Sequence, residues 1–323
     1  MSKNQPFEFY EELDDFSEEE AQPSQKRLSK KRESKKREME ARLFVRAQEI
    51  SREFQFTYKA ARFEEAWLLD SLADIAEHQW ISDVIRKVKG GKEASVYLCT
   101  PGAAIPTTDF VAAKVYRPRI LRNLRNDGLY RQGREDLDAE GRVVVNDGML
   151  HAIKKKTEYG RELLHQSWIA YEFTSMQELH AAGADVPEPY TMTNNAILMG
   201  YIGDLGTSAP TLNEVSLGRS EAKLLFDRVL CNLDILLTHE RVHGDLSAYN
   251  ILYWDGGITL IDFPQVVSPK VNRHAFTIFE RDVKRVCDYF AGQGVRSNPK
   301  TLAMELWTSH RYPLPHEKPD VIE

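Results

Sequence analysis

Val242 His243 Gly244 Asp245 Leu246 Ser247 Ala248 Tyr249 Asn250 Ile251 Leu252, followed by Leu260 Ile261 Asp262 Phe263, is the stretch on which the reading of this chain turns. An Asp and an Asn stand five residues apart in a loop, and a second Asp follows about a dozen residues later behind an apolar strand. That spacing brings one proton acceptor and two hard oxygen ligands to a single point, as in phosphotransferases of the kinase-like fold. Asp245 is the candidate base for a hydroxyl proton. Asn250 and Asp262 offer the oxygens that Mg²⁺, or Mn²⁺ in its place, takes when it is shared with phosphate. Residues 251–253 and 258–261 flank Asp255 Gly256 Gly257, a strong hairpin signal, and that hairpin is expected to set Asn250 opposite Asp262.

Working outward, the chain is long enough for a two-lobed domain, since 323 residues with 42% hydrophobic content can bury a sizeable core. No run approaches 18 uncharged apolar residues and the N-terminus opens polar and acidic, so neither a transmembrane helix nor a secretory signal is expected. A cytoplasmic location and no membrane partner follow as expectations. Cys99, Cys231 and Cys287 are far apart, odd in number and in no metal-binding spacing, which suits reduced thiols.

The net charge of -6 is unevenly spread. Residues 8–20 carry eight Asp or Glu, and residues 26–37 carry eight Lys or Arg against Glu33 alone. Such blocks repel internally and have little to bury, so residues 1–53 read as a charged, disordered tail, or at best a solvated helix from about residue 26. The basic block is a candidate RNA contact. Residues 54–82 read as a helical extension, with Phe63 to Trp80 at one-faced helical spacing.

Residues 84–98 form a strand, the pair Gly90 Gly91, and a second strand. The Gly pair lets backbone amides approach a phosphate closely, and Lys92, Glu93, Ala94, Ser95 and Val96 form the candidate nucleotide loop. In the strand Val111 to Tyr116, Lys114 stands where its neighbours are buried, and a buried cation needs an anion. Glu172, on a helix marked by Trp168, Tyr171, Ser175, Met176 and Leu179, is the first candidate. Glu178 is the rival, and the two lie on different faces of that helix. Residues 117–158 read as a long charged insertion, with a short basic helix possible over 119–125. Residues 196–203 form an apolar strand that breaks at glycine. Met199, Gly200 and Ile202 there are candidate hinge contacts to an adenine edge. A helix over residues 221–240, with Leu224, Leu225, Val229, Leu230, Leu233, Leu236 and Leu237 facing inward, precedes the Asp245 loop. Further helices are expected over 278–290 and from Pro299 past Trp307.

Taken together these residues resemble the RIO family of atypical protein kinases, from about residue 66 to 290. The resemblance rests on Gly91 to Tyr97, on Ala113 Lys114 Val115 Tyr116, on Trp168 with Glu172, on His243 to Ser247 with Asn250, and on Ile261 to Gln265. Ala248 departs from the Glu common there. The phosphate loop is similar to one branch of the family and the Asp262 Phe263 Pro264 Gln265 motif to another. The resemblance implies an α+β, bilobal protein-kinase-like fold with a small β-rich N-lobe (83–202) and a mostly helical C-lobe (203–323). It implies Mg-ATP in the cleft and serine/threonine kinase activity, by autophosphorylation or ATPase turnover. Residue by residue, it implies Lys114 on the α/β phosphates, Glu172 positioning it, Asp245 as base, Asn250 and Asp262 on the metal, and Asp262 as a possible phosphoryl acceptor. An ATP-gated assembly switch on ribosomal RNA or a pre-ribosomal particle uses the same site. A small-molecule phosphotransferase shares the His-Gly-Asp loop but not the Gly91–Tyr97 and Asp262–Gln265 segments.

Overall fold

The computed structural model describes residues 23–117, 130 and 132–314. The acidic block 8–20 and the basic stretch 119–125 lie outside these residues. Two helices open the described chain, α1 (Pro23–Ile50) and α2 (Arg62–Glu77). A five-stranded antiparallel sheet follows, built from β1 (Ile81–Gly90), β2 (Ala94–Pro101), β3 (Val111–Tyr116), β4 (Pro189–Met192) and β5 (Ala196–Gly200) in the order β1-β2-β3-β5-β4. Between β3 and β4 run α3 (Asp147–Lys154) and the long α4 (Glu158–Ala181). The lower half holds α5 (Arg219–Thr238), the hairpin β6 (Ile251–Trp254) and β7 (Gly257–Leu260), α6 (Ala275–Gly292) and α7 (Pro299–Ser309). A small sheet lobe thus sits on a mostly helical one, the kinase-like architecture that the sequence implies.

Period-two alternation decides what the sheet does. In β3, Val111, Ala113 and Val115 turn to one face and pack with Trp67, Leu68, Leu72 and Ile75 of α2. Ala112, Lys114 and Tyr116 turn to the other and line a cleft. The same rule corrects one expectation. Ala94 and Val96 of β2 face the cleft, but Ser95 between them is 1% exposed, and its side chain lies on the α2 side with Tyr97, not with the nucleotide loop.

For the described part of the tail the helical alternative holds, starting earlier at Pro23, and its solvated character is corrected. Residues 23–50 are one helix, and Leu43, Phe44, Ala47 and Ile50 recur at helical spacing to pack against the α2 core. Arg46 adds an ion pair to Asp70 at 3.1 Å. Charge composition hid this stripe, which begins only after the basic block ends. In the lower lobe Leu225, Val229, Leu233 and Leu236 of α5 meet Phe279, Val283, Val286 and Phe290 of α6 and Trp307 of α7. Leu224, expected inside, is 71% exposed. All three cysteines are free, with Cys99 and Cys287 buried and Cys231 exposed. Among the described residues no helix is long and apolar enough to cross a membrane.

Candidate active site

The cleft between the lobes has a volume of about 850 Å³ and gathers most of the residues singled out by sequence. Lys92, Glu93, Ala94, Val96 and Lys114 line it from the upper lobe, Met199, Gly200 and Ile202 from the connection, and Asp245, Asn250 and Asp262 from below. Ser95 is left out by its strand parity. The Gly200 N–H donates to the Glu188 carbonyl at 2.8 Å, and the Ile202 carbonyl accepts from the Ala209 N–H at 3.0 Å.

Lys114 ties the lobes together. Its Nζ donates to Glu172 Oε1 at 2.5 Å and to Asp262 Oδ1 at 2.7 Å. Tyr116, two residues along the same strand face, donates to the second oxygen of Glu172 at 2.6 Å. Glu178 turns away and accepts from Arg241 at 2.7 Å, so Glu172 is the partner on this face of α4. Burial alone would lower the Lys114 pKa, but the carboxylates of Asp262 and Glu172 hold it above its ordinary value. Burial likewise works to raise the Asp262 pKa, and the Lys114 charge overrides it, so the carboxyl stays below its usual range. Asp262 nonetheless remains 45% exposed through the mouth of the cleft. It also adopts φ +73°, an uncommon conformation for a non-glycine residue, which the Lys114 contact helps to fix.

The hairpin places the oxygen ligands as its turn chemistry predicts. Asp255 and Gly256 both have positive φ, Ile251 pairs with Leu260, and the Ile261 N–H donates to the Asn250 carbonyl at 3.0 Å. Asn250 is therefore opposite Ile261, one residue before Asp262. Its Nδ2 donates to the Asp245 carbonyl at 2.9 Å, which leaves Oδ1 as the ligand atom. Among the described residues no three His, Cys, Asp or Glu side chains gather into a metal site. Two oxygens, from Asn250 and Asp262, suit a Mg²⁺ ion that completes its shell with phosphate and water, and the donor set fits that ion.

The Asp245 loop is built from beneath. Gly244 has φ +85°, and a Cβ there would lie 2.1 Å from the Gln265 carbonyl oxygen, so only glycine fits. Its N–H donates to Asp282 Oδ2 at 2.8 Å, and Arg281 donates to its carbonyl. Burial pushes the Asp282 carboxyl up to about 6, against the lowering effect of Arg281 and of the Gly244 and Leu246 N–H groups. His243 is buried against Phe263, with ring centroids 4.7 Å apart. Its Nε2 faces the Ile261 carbonyl at 3.1 Å, and Nδ1 accepts from the Asp245 N–H at 3.3 Å, which makes Nε2 the protonated nitrogen. Burial lowers its pKa to about 4. Ala248 is 7% exposed within the lower core, a place that suits a small apolar side chain better than a carboxylate.

A model of the RIO domain family matches residues 128–302, more than half of the chain. The chain belongs to the RIO domain family. Its sequence is 29% identical to a serine/threonine-protein kinase RIO1 of Chaetomium thermophilum, over 67% of this chain and 40% of that one. It is 27% identical to a human serine/threonine-protein kinase RIO1, over 67% and 34%. A RIO-type serine/threonine-protein kinase Rio1 of Haloferax volcanii is 26% identical over 67% and 66%. The chain thus spans about a third to two fifths of the two eukaryotic relatives and about two thirds of the archaeal one.

Several RIO-site residues escaped the sequence reading. Arg281, Asp282 and Arg285 of α6 hold the Asp245 loop, with Arg285 Nη1 donating to Asp245 Oδ1 at 2.7 Å. The available signal was a charged residue at position 282 inside an apolar helix face of 278, 279, 283, 286 and 290. Arg134, read as part of a solvated insertion, stacks 3.6 Å from the Tyr171 ring centroid and donates to the carbonyls of Pro264 and Trp168 at 3.3 and 3.4 Å. It fastens the Asp262 segment to α4. Lys89 lines the cleft from β1.

Proposed function

We propose that this RIO-domain chain is an ATP- and Mg-dependent serine/threonine protein kinase. The observation that supports it above the others is Lys114, held between Glu172 and Asp262 in the cleft that also presents Asp245 and Asn250. Lys114 binds the α/β phosphates and Glu172 orients it. Val96, Ala112, Met199 and Leu252 give the adenine an apolar slot. The Gly200 N–H is already bonded to the Glu188 carbonyl, so the Ile202 N–H, at the cleft lining, is the candidate hinge donor to the adenine edge. Lys92 and the amides around Gly91 approach the phosphates. Asn250 and Asp262 would hold Mg²⁺, which would supply charge neutralisation to the phosphate oxygens. Asp245 takes the proton of the acceptor hydroxyl.

Asp262 also serves as a phosphoryl acceptor when no hydroxyl is present, since its carboxylate stays ionised and reaches the open cleft. Water then returns the enzyme to its starting state, which is slow ATPase turnover. Incubation with radiolabelled Mg-ATP tests both steps. The expected label falls into two classes, one on serine or threonine that survives hydroxylamine and one that hydroxylamine removes and that Asp262→Asn lacks. A purely hydroxylamine-resistant label defeats the covalent aspartate, and label in neither class with no phosphate released defeats the kinase reading.

A further inference from the structure

Strict strand parity would put Lys87 and Lys89 of β1 on one face of the sheet. They face opposite ways. Lys87 pairs with Tyr97 of β2 and reaches Glu64 of α2 at 3.1 Å, behind the sheet, whereas Lys89 pairs with Val96 and lines the cleft. The difference is a bulge, in which two steps along β1, past Val88, answer one step along β2. Bulges disrupt the ladder and recur beside active sites, where they re-aim a side chain. Here the side chain re-aimed is a lysine.

Val96 also pairs with Lys114 of β3, so Lys89, Val96 and Lys114 form one cross-strand row on the roof of the cleft. With strands about 4.8 Å apart, the two lysine backbones stand about 10 Å apart on either side of Val96. β1 is an edge of the sheet, which leaves Lys89 exposed at the mouth while Lys114 is buried deeper in the row. Lys114 is spent on Glu172 and Asp262, but among the described residues Lys89 forms no ion pair. Its charge still reaches both walls of the cleft. It adds to the lowering of the Glu214 carboxyl, which comes mainly from the Thr211 N–H and hydroxyl, and to that of Asp262, which comes against burial and mainly from Lys114. An ammonium left unpaired in the row of Lys114 is placed for an anion that the cleft admits. Resting on the ATP reading above, we propose that Lys89 binds the outer, mouth-facing oxygens of the β and γ phosphates, a second cation by which the site selects nucleoside polyphosphates.

The test is calorimetric titration of the full chain with adenosine, AMP, ADP and ATP in the presence of Mg²⁺. Lys89→Met should weaken ATP and ADP roughly tenfold, the scale of one charge-assisted hydrogen bond, and leave adenosine and AMP within about twofold. Retained adenosine binding reports an intact cleft in the variant. Lys89→Arg should recover most of the ATP affinity, and added salt should weaken ATP binding less steeply in Lys89→Met than in the parent. Lys87→Met removes the same charge from the other face and should keep the parent's ratio of ATP to adenosine affinity. An unchanged ratio in Lys89→Met overturns the assignment and leaves the kinase reading intact. A loss as large for AMP or adenosine as for ATP overturns it too, since that marks packing rather than contact with the outer phosphates. An equal change of ratio in Lys87→Met assigns the effect to net charge, with the same consequence. A parent that binds none of the four ligands sinks the ATP reading itself.

Discussion

The two aspartates of the cleft are held in opposite ways. Asp262 is gripped across the lobes by Lys114, a nearly buried ammonium whose other partner, Glu172, is 1% exposed. Asp245 is gripped within the lower lobe by α6, through half-exposed Arg285 at its carboxylate and buried Asp282 beneath its loop. The first grip exists only while β3, α4 and the segment after β7 keep their relative places. The second survives any movement of the upper lobe. Substitutions should separate nucleotide positioning from proton transfer along this line.

Asp245→Asn gives the largest expected effect. It removes the base and keeps the shape, so kcat should fall about 10² to 10⁴-fold while ATP binds nearly as in the parent. A matched loss of ATP affinity and rate would take the base role away from Asp245. Lys114→Ala attacks the other grip and leaves two carboxylates facing each other without their cation. Breaking a buried pair costs roughly 3–5 kcal/mol. Both nucleotide affinity and the unfolding midpoint should drop, and a calorimetric titration beside a thermal melt reads both. Parent-like ATP binding in that variant would mean the phosphates lie elsewhere.

Asp282 offers a sharper probe of the lower grip, because burial raises its carboxyl to about 6. A raised folded-state value means that this group's contribution to stability is full below about pH 4, its unfolded range, and is lost as pH rises through about 6. His243 runs the other way: its value is lowered to about 4, so its contribution is present above about 6.5 and lost as pH falls. The two offset each other in the parent. Asp282→Asn removes one of them, so the variant should gain on the parent by roughly 3 kcal/mol between pH 4 and 7. Urea unfolding across that range is the check, and a stability difference that does not change with pH would remove Asp282 as a titrating support. The variant's kcat should also fall, since Gly244 loses its carboxylate acceptor.

The contrast also explains what the sequence could and could not say. The Lys114 grip was legible because its parts are few and of unusual type: a lysine inside Val111 to Tyr116, an acidic residue on an apolar helix, and an Asp behind a hairpin. Strand parity was equally available, yet the glycine loop drew Ser95 into the phosphate group that its own position in β2 excludes. The α6 grip was hidden because Arg281, Asp282 and Arg285 look like ordinary surface charges on an amphipathic helix until the helix is laid under the Asp245 loop. Arg134 was hidden for another reason. A segment rich in charge reads as solvated, and nothing local tells that one guanidinium stacks on Tyr171 of a helix more than thirty residues away. Helix α1 fell to the same bias, its apolar stripe of Leu43, Phe44, Ala47 and Ile50 coming after a run of lysines and arginines.

That helix gives the smallest expected effect on catalysis and a clean test of which grip a distant ligand can reach. Its first half carries the basic block 26–37, a candidate RNA contact, and its second half packs on α2 behind the sheet that bears Lys114. The packed half of α1 rests on α2 of the upper lobe. Removing residues 1–37 spares the packed stripe, whereas a cut at 50 would strip Leu43 to Ile50 from the upper core. The shorter deletion should abolish salt-steep RNA binding, with a slope of log affinity against log salt of about -3 if four phosphates are contacted. It should leave ATP affinity and the rate of ATP turnover within about twofold, because neither grip loses a contact, the scale expected for an exposed change far from the site. Unchanged RNA affinity would release the basic block from any binding role. A fall in ATP affinity with kcat preserved would show instead that α1 supports the Lys114 grip through α2, and that an RNA ligand there could tune nucleotide binding without touching the base.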